Sequence, residues 1–314
     1  IDGDRGLGCA IAPYAMKEAI NKAKKFGVGS VTLFNSGHFG AAAYYANMAV
    51  EENMIGLATT GGGVGVVPTF SSEKLVGLNP LAFGVPTKDN PPFIFDASMS
   101  SVAGNKIELA KRLGVDVMPG WISDKDGVPI MQDSQIPSYD NPNDKPGILP
   151  LGGTREIGSH KGFGLAVILE ILCGGLSNNG LGPFRKKNTA HHFTVYNIEA
   201  FGELDEFMSD VDQYLTKIKD SKPAPGFEEV LYAGLPENNE EKERSEKGIP
   251  YHSIISRPEN CSTPDAEFKY NQMKKFLNLK WTKRKKKFLY DDKWDNLIAG
   301  IRLGITPRYA HDWI

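Results

Sequence analysis

Apolar residues at the start of the chain recur at helical spacing and then give way to a β-branched run. Residues 13–26 carry one apolar stripe, which consists of Ala15, Met16, Ala19, Ile20, Ala23 and Phe26. Pro13 stands at its start and Gly27 after its end, so the pattern predicts an amphipathic helix. The β-branched residues of 28–34 predict a strand that follows directly.

The pattern breaks after this strand. Asn35, Ser36 and Gly37 interrupt it, and His38 lies in the same break. A second helix is predicted over residues 41–53 and a second strand over residues 55–60. His38 is therefore expected in a loop between a strand and a helix.

The alternation continues less regularly through the rest of the chain. It predicts strands at residues 93–96 and 192–198, and helices near residues 106–113, 161–176 and 204–218. No segment repeats with a period of about 20 to 50 residues, which argues against a solenoid or a propeller. We predict one α/β domain over residues 1–252, built on a sheet of mixed strand directions.

Composition narrows the class of protein. Of 314 residues, 40% are hydrophobic, which is enough for a packed globular core. The formal net charge is −2, which lacks the strong positive field that non-specific nucleic-acid binding requires. A small-molecule partner fits this charge better, and we expect neither nucleic acid nor a membrane as partner.

Cysteine usage and hydropathy bear on location. Cys9, Cys173 and Cys261 are odd in number and widely separated, which suggests neither a disulfide framework nor a zinc site. We expect no bound metal. There is no run of about eighteen apolar residues and no basic segment followed by an apolar one. A cytoplasmic protein is therefore predicted.

The last residues differ from the rest in charge. We treat residues 253–314 as a basic C-terminal extension, because residues 251–314 hold 13 Lys and Arg against 7 Asp and Glu. The densest part, residues 280–288, interleaves basic and aromatic side chains. Such a run can bind nucleic acid or an anionic surface, but is more often a solvated tail or an exposed helix face.

Histidines are the first candidates for chemistry. His38 follows a strand, where ligands meet an open α/β sheet, and imidazole exchanges protons near neutral pH. A locally bonded loop histidine is the alternative. His160 and Lys161 lie in a glycine-rich string at the start of a predicted helix. Such a string can bind an anionic phosphate at the helix N-terminus, or it can be only a tight turn.

Two further strings bear on metal or cofactor binding. His191 and His192 lead into a strand, so one is expected to be buried and the other exposed, which makes a poor metal site. The glycines of residues 6–8 and 61–65 do not complete Gly-x-Gly-x-x-Gly, so a Rossmann site is not supported. Walker, nucleophile-elbow and zinc-protease motifs are also absent.

Six short motifs follow one another in a fixed order along the chain. They are residues 2–8 (DGDRGLG), 35–40 (NSGHFG), 77–82 (GLNPLA), 96–100 (DASMS), 149–153 (LPLGG) and 158–164 (GSHKGFG). In these motifs the sequence resembles the malate/L-lactate dehydrogenase family, which also contains sulfolactate, ureidoglycolate and diketogulonate dehydrogenases and a cyclic-imine carboxylate reductase. The resemblance covers about residues 1–252.

The resemblance implies an enzyme with a non-Rossmann fold that binds NAD or NADP, usually as a homodimer. It implies hydride transfer between NAD(P)H and a small 2-oxo or 2-hydroxy carboxylic acid, with His38 as the catalytic residue. Three segments are implied to bind the cofactor: Asp96, Ala97, Ser98, Met99, Ser100 and Ser101; then His160, Lys161 and Gly162; and then Ala233, Gly234 and Leu235. The family usually has proline where Ala233 stands.

Other positions depart from the family. Its members carry a helical segment with a Ser-His-Gly motif before the Asp-Gly-Asp string, whereas this sequence begins at Ile1. Leu78 replaces a usual threonine, and Gly61 stands where asparagine is common. We therefore expect an N-terminally incomplete domain. The alternative to an active enzyme is a catalytically silent, truncated relative that acts in binding or assembly.

Overall fold

A computed structural model of the chain describes residues 1–141 and 144–248. The predicted extension at residues 253–314, with its basic run at 280–288, lies outside the described residues. The described residues include these helices and strands: α1 (Gly8–Phe26), β1 (Val28–Ser36), α2 (Ala42–Val50), β2 (Met54–Gly61), β3 (Leu81–Val85), β4 (Phe93–Ala97), α3 (Gly104–Leu113), β5 (Ile122–Ser123), β6 (Gly147–Ile148), α4 (Ser159–Glu170), β7 (Thr189–Asn197), α5 (Leu204–Lys219) and α6 (Leu235–Lys247).

Most predicted elements are present, with shifted ends. Helix α1 begins at Gly8 and contains Pro13, which was expected at its start. The apolar helix predicted to run to residue 176 ends as an α-helix at Glu170 and continues as a π-helix, Ile171–Gly175. Short 3₁₀ turns at Gly182–Phe184 and Ile198–Ala200 complete the helical elements of the described chain.

The main sheet has five strands in the order β1-β7-β2-β3-β4. Every neighbouring pair is antiparallel, whereas a sheet of mixed directions was predicted. The difference arises because β7, from late in the chain, inserts between β1 and β2 and reverses the direction at that place. Parallel pairing is limited in the described chain to the isolated bridges Asp2–Phe34 and Val66–Ile148.

Helices α1 and α2 cover one face of this sheet and form its largest core with it. Glycines on two strands allow the close packing. A Cβ atom on Gly29 would lie 2.0 Å from the carbonyl oxygen of Ala19 in α1, and one on Gly56 would lie 2.5 Å from that of Ala46 in α2. The core includes Ala12, Met16, Ile20, Leu33, Tyr45, Ala58, Phe193 and Val195.

Strand β7 is buried on both faces at its centre. His191, Phe193 and Val195 belong to the face under α1 and α2, and His192 belongs to the opposite face. His191 is 0% exposed and His192 is 6% exposed, so the prediction that one of the two is exposed is wrong. The π-helix contacts β7 as well, and His192 is hydrogen-bonded to Ser30 and Thr194.

A smaller unit of the fold completes the domain. Helix α3 and β5, which pairs with β6, pack around Ala110, Val117 and Ile122. Helices α5 and α6 join beside β4 through Leu215, Tyr232 and Leu235. Within the described part of the chain, no helix has the length and apolar character needed to cross a membrane.

Candidate active site

His38 lies in the loop that joins β1 to α2, as predicted. Its side chain is exposed. The main-chain N–H of Gly40 donates a hydrogen bond to Nδ1 of His38 at 3.0 Å. In the neutral ring this bond occupies the lone pair of Nδ1, so the ring proton belongs on Nε2. The loop therefore presents an imidazole of defined tautomer at the surface.

Gly37 and Phe39, the two residues that flank His38, are hydrogen-bonded to buried side chains. Nε2 of His191 lies 3.1 Å from the carbonyl oxygen of Gly37. The hydroxyl of Tyr45, which is 1% exposed, donates to the carbonyl oxygen of Phe39. The Phe39 ring is stacked between His191 and Tyr45, with centroid distances of 4.4 and 4.8 Å. The exposed histidine thus stands on a buried aromatic stack.

Asp96 connects the predicted cofactor turn to the same place. Its Oδ2 accepts a hydrogen bond of 2.7 Å from the N–H of Ala43 in the first turn of α2. Asp96 is exposed as a residue. Neighbouring atoms nevertheless displace water from its carboxyl group, and this desolvation raises the pKa of that group. Hydrogen bonds from α2 oppose this effect, and the nearby Glu237 carboxylate adds to it.

The turn after Asp96 is held by main-chain bonds on both sides. Met99 donates to the carbonyl of Leu78 at 2.8 Å and accepts from Leu151 at 3.1 Å. The N–H of Ser101 donates to the carbonyl of Leu149 at 2.8 Å. Ser100 is buried, and its hydroxyl bonds to Ser98 Oγ at 2.9 Å. The segment from Asp96 to Ser101 is therefore rigidly joined to residues 149–151.

The second predicted cofactor segment adjoins the first through Leu151. A Cβ atom on Gly162 would lie 2.2 Å from the carbonyl oxygen of Leu151, so α4 packs directly on the turn at Leu151. His160 and Lys161 are both exposed in the first turn of α4. Because the N-terminal end of a helix is electropositive, this turn and the Lys161 ammonium together favour an anionic group.

The third predicted segment lies beside β4. The N–H of Ile94 donates to the carbonyl of Ala233 at 3.0 Å, and Gly234 adopts a positive φ of 97° before α6. Its N–H donates to Glu237 Oε2 at 3.2 Å. The proline expected at position 233 is replaced by alanine, yet the turn is still paired to β4.

Separate contacts link the predicted site segments. Leu151 contacts both Met99 and Gly162, Ala233 bonds to Ile94 in β4, and Asp96 bonds to α2, the helix that follows His38. The sequence patterns did not identify His191 and Tyr45 as supports of His38. Their adjacency depends on long-range strand pairing, although the aromatic and histidine side chains at buried strand positions were visible signals.

A buried ion pair was also missed. Arg185 and Glu170 form a salt bridge with side chains only 10% and 7% exposed. Glu170 also accepts the N–H of Gly182 at 2.7 Å and the Asn79 amide at 3.2 Å. Burial, reinforced by the Glu170 charge, raises the pKa of the neighbouring Cys173 thiol to about 12. This cluster fixes the π-helix against the sheet end and contains no reactive thiolate.

Known proteins resemble the chain over most of its length. The family model described as malate/L-lactate dehydrogenase matches residues 1–257. The chain belongs to this family. Malate dehydrogenase of Pyrococcus horikoshii is 38% identical over 262 residues, which covers 81% of this chain and 71% of that protein. L-sulfolactate dehydrogenase of Methanocaldococcus jannaschii is 35% identical over 252 residues, covering 78% of this chain and 69% of that protein.

Solved structures agree with the sequence relatives. The crystal structure of malate dehydrogenase from Entamoeba histolytica has a TM-score of 0.73 and 31% identity, covering 88% of this chain and 75% of that one. The predicted family and the non-Rossmann α/β class are confirmed. So is the prediction of an enzyme, an oxidoreductase that acts on small hydroxy acids. The relatives give no support to the alternative of a silent binding protein.

Proposed function

We propose that this dehydrogenase reversibly reduces a small 2-oxo carboxylic acid to the 2-hydroxy acid, with His38 as the proton donor. The observation that carries this assignment is the exposed His38 ring, held by the Gly40 N–H on one side and by a buried stack beneath. Reduction adds one hydride to the carbonyl carbon and one proton to its oxygen. The protonated ring of His38, in which Nδ1 carries a proton and releases the Gly40 bond, delivers that proton from Nε2, is left neutral, and regains a proton from solvent.

We further propose that the cofactor is NAD or NADP. The residues fit such a group, because an electropositive helix start with exposed His160 and Lys161 adjoins the rigid Asp96 turn. When bound, the nicotinamide supplies the hydride. We assign Asp96, Ala97, Ser98, Met99, Ser100 and Ser101, then His160, Lys161 and Gly162, and then Ala233, Gly234 and Leu235, to holding it.

The experiment pairs cofactor titration with turnover. NADH and NADPH are titrated into the chain by fluorescence, and the tighter of the two is used with pyruvate, oxaloacetate and sulfopyruvate. Replacing the acid, His38→Gln, should lower kcat about 100-fold or more while cofactor affinity is kept. Lys161→Met should weaken cofactor binding first. A folded sample that binds neither cofactor, or full turnover by His38→Gln, would overturn the assignment.

We also propose a homodimer. Four apolar side chains form an exposed stripe along α4 and the following π-helix, and their exposed fractions are 42% for Leu165, 52% for Ile168, 47% for Ile171 and 60% for Leu176. Contiguous exposed apolar surface is characteristic of subunit contacts. Sedimentation velocity should show a dimer that Ile168→Glu dissociates, while Tyr214→Glu on α5 leaves it intact. A monomer in the unaltered chain would contradict the proposal.

The proposed location is the cytoplasm. Cys9 and Cys173 are both free thiols in the described chain, which suits a reducing compartment. Fractionation of cells that express a tagged full-length protein would test this location, and recovery outside the cytoplasmic fraction would reject it.

A further inference from the structure

His191 occupies a costly position for a histidine. It is 0% exposed, and its ring stacks on Phe39 at an interplanar angle of 14°. The Gly37 carbonyl accepts only, so the 3.1 Å bond requires the His191 proton on Nε2. Nδ1 is then a bare acceptor, and it is buried without a hydrogen-bond partner among the described residues. An apolar ring would fill this place without an unsatisfied nitrogen.

The protonation state of His191 is fixed by this environment. Burial lowers the pKa of its ring to about 3, against the effect of the Gly37 bond, and the nearby His38 and Arg185 charges lower the pKa further. The ring is therefore neutral under ordinary conditions, with its single proton directed at the loop that carries His38. It donates at all working pH values and does not itself exchange protons.

We propose that His191 is a positioning residue for His38. Its Nε2–H fixes the carbonyl of Gly37 while Tyr45 fixes the carbonyl of Phe39, so the main chain is held immediately before and after the proton donor. The Phe39 ring, clamped between the two, prevents rotation of the loop about these bonds. The inference rests on the proposed role of His38. It states that the buried residues His191 and Tyr45 together set the orientation of the His38 ring.

Energetics support a role beyond packing. A neutral hydrogen bond stabilises a fold only modestly, and an unsatisfied buried nitrogen offsets that gain or exceeds it. The net effect of His191 on stability is therefore small. Its effect on geometry is not, because misplacing a reacting group by about 1 Å lowers rates on the order of 100-fold. Stability and turnover should consequently separate when the donor is removed.

The test uses two replacements of His191 and a matched control on the same strand. His191→Phe keeps a stacked ring and removes the donor, whereas His191→Gln restores an N–H near the Nε2 position. His192→Gln is the control, because His192 is also buried and hydrogen-bonded, but to Ser30 and Thr194 on the opposite face. Each variant is measured for urea unfolding, cofactor affinity, kcat and KM, and the pH titration of the His38 ring by NMR.

The expected result is a selective loss. His191→Phe should unfold near the urea midpoint of the unaltered chain and bind cofactor normally, but lose about 10- to 100-fold in kcat with little change in KM. Its His38 resonance should shift and titrate at a different pH. His191→Gln should recover most of kcat and the original resonance, and His192→Gln should match the unaltered chain in both.

Other outcomes would overturn the inference. Unchanged kcat and an unchanged His38 resonance in His191→Phe would show that packing alone occupies this position. Equal losses in His191→Phe and His192→Gln would point to general loosening. If His191→Phe does not fold, Tyr45→Phe removes only the hydroxyl donor to Phe39 and must still shift the His38 resonance. Full activity in His38→Gln would instead reject the proposed function, which separates the two failures.

Discussion

Asp96 on β4 accepts a hydrogen bond from the N–H of Ala43 in α2, with an Oδ2–N distance of 2.7 Å. Helix α2 has Ala41 at its N-cap and no capping side chain of its own. A residue more than fifty positions away therefore satisfies a donor that the local sequence leaves open. The same bond fixes where α2 begins, and α2 follows directly on the loop that carries His38.

Replacing Asp96 tests this remote cap. Asp96→Ala should lower the free energy of unfolding by about 1 kcal/mol, because one N-terminal N–H of α2 loses its acceptor. Asp96→Asn keeps an oxygen at the same place and should lose less. Urea titrations at neutral pH measure both changes. Equal stability of Asp96→Ala and the unaltered chain would show that solvent replaces the bond.

The raised pKa of Asp96 adds a pH dependence with a definite sign. The folded state holds this proton to higher pH than the unfolded state, where the pKa is near 3.8. The contribution of Asp96 to stability therefore decreases as pH rises from about 4 through its folded pKa. Asp96→Asn should remove that decrease, and unfolding midpoints measured from pH 4 to pH 7 would record it.

The buried Glu170–Arg185 pair should be sensitive to loss of one partner. Arg185→Met leaves the Glu170 carboxylate without its cation, which should cost about 3 kcal/mol of stability. The double variant Glu170→Gln with Arg185→Met should recover part of this loss. Lys187→Met is the control, since it removes an exposed pair with Asp2 and should change the unfolding midpoint little. A loss of stability in Lys187→Met as large as that in Arg185→Met would contradict this prediction.

Glycines at packed and open positions should respond oppositely to alanine. Gly56→Ala places a Cβ atom 2.5 Å from the Ala46 carbonyl oxygen, so α2 must move and stability should fall by about 1 to 3 kcal/mol. A Cβ atom on Gly164, within α4, would meet no atom within 4 Å apart from the adjacent backbone of its own helix. Gly164→Ala should therefore raise stability by up to about 1 kcal/mol. Thermal or urea unfolding of the pair decides both signs.

Acid should destabilise the fold through His191. Its folded pKa of about 3 lies below its unfolded value of about 6.5, so its contribution is complete above pH 6.5 and is lost as pH falls toward 3. His192 also has a lowered pKa through burial and acts in the same direction. His191→Phe should flatten the fall in unfolding midpoint between these pH values. An unchanged slope would show that other groups govern acid unfolding.

The sequence predicted local elements better than their long-range arrangement. Helix α1 starts at Gly8, five residues before Pro13, and Gly8 lies so close to the carbonyls of Gly37 and His38 that a Cβ atom there would clash with both. No local pattern contains that contact. The late strand β7 likewise pairs with β1 and β2 from the start of the chain, and only this pairing reveals that the sheet is antiparallel.

The candidate site shows the same division. Periodicity placed His38 in a loop after a strand, which the structure has, and the family strings supplied the cofactor segments. Alternation along β7 suggested one exposed histidine, but the rule assumes a sheet with one open face, whereas both His191 and His192 are buried. The supports of His38 were hidden because His191 is more than 150 residues away along the chain.

Both edge strands of the five-stranded sheet, β1 and β4, are partly paired with backbone from other segments of the chain. Ile1 and Gly3 bond to Phe34 along β1, and Ala233 bonds to Ile94 along β4. An edge strand with unpaired backbone groups can pair with a strand of another chain. Each of these short segments occupies some of those groups and so reduces the length of edge that is open to pairing. We therefore expect proteolytic removal of either segment to leave β1 or β4 more open to pairing with strands of other chains.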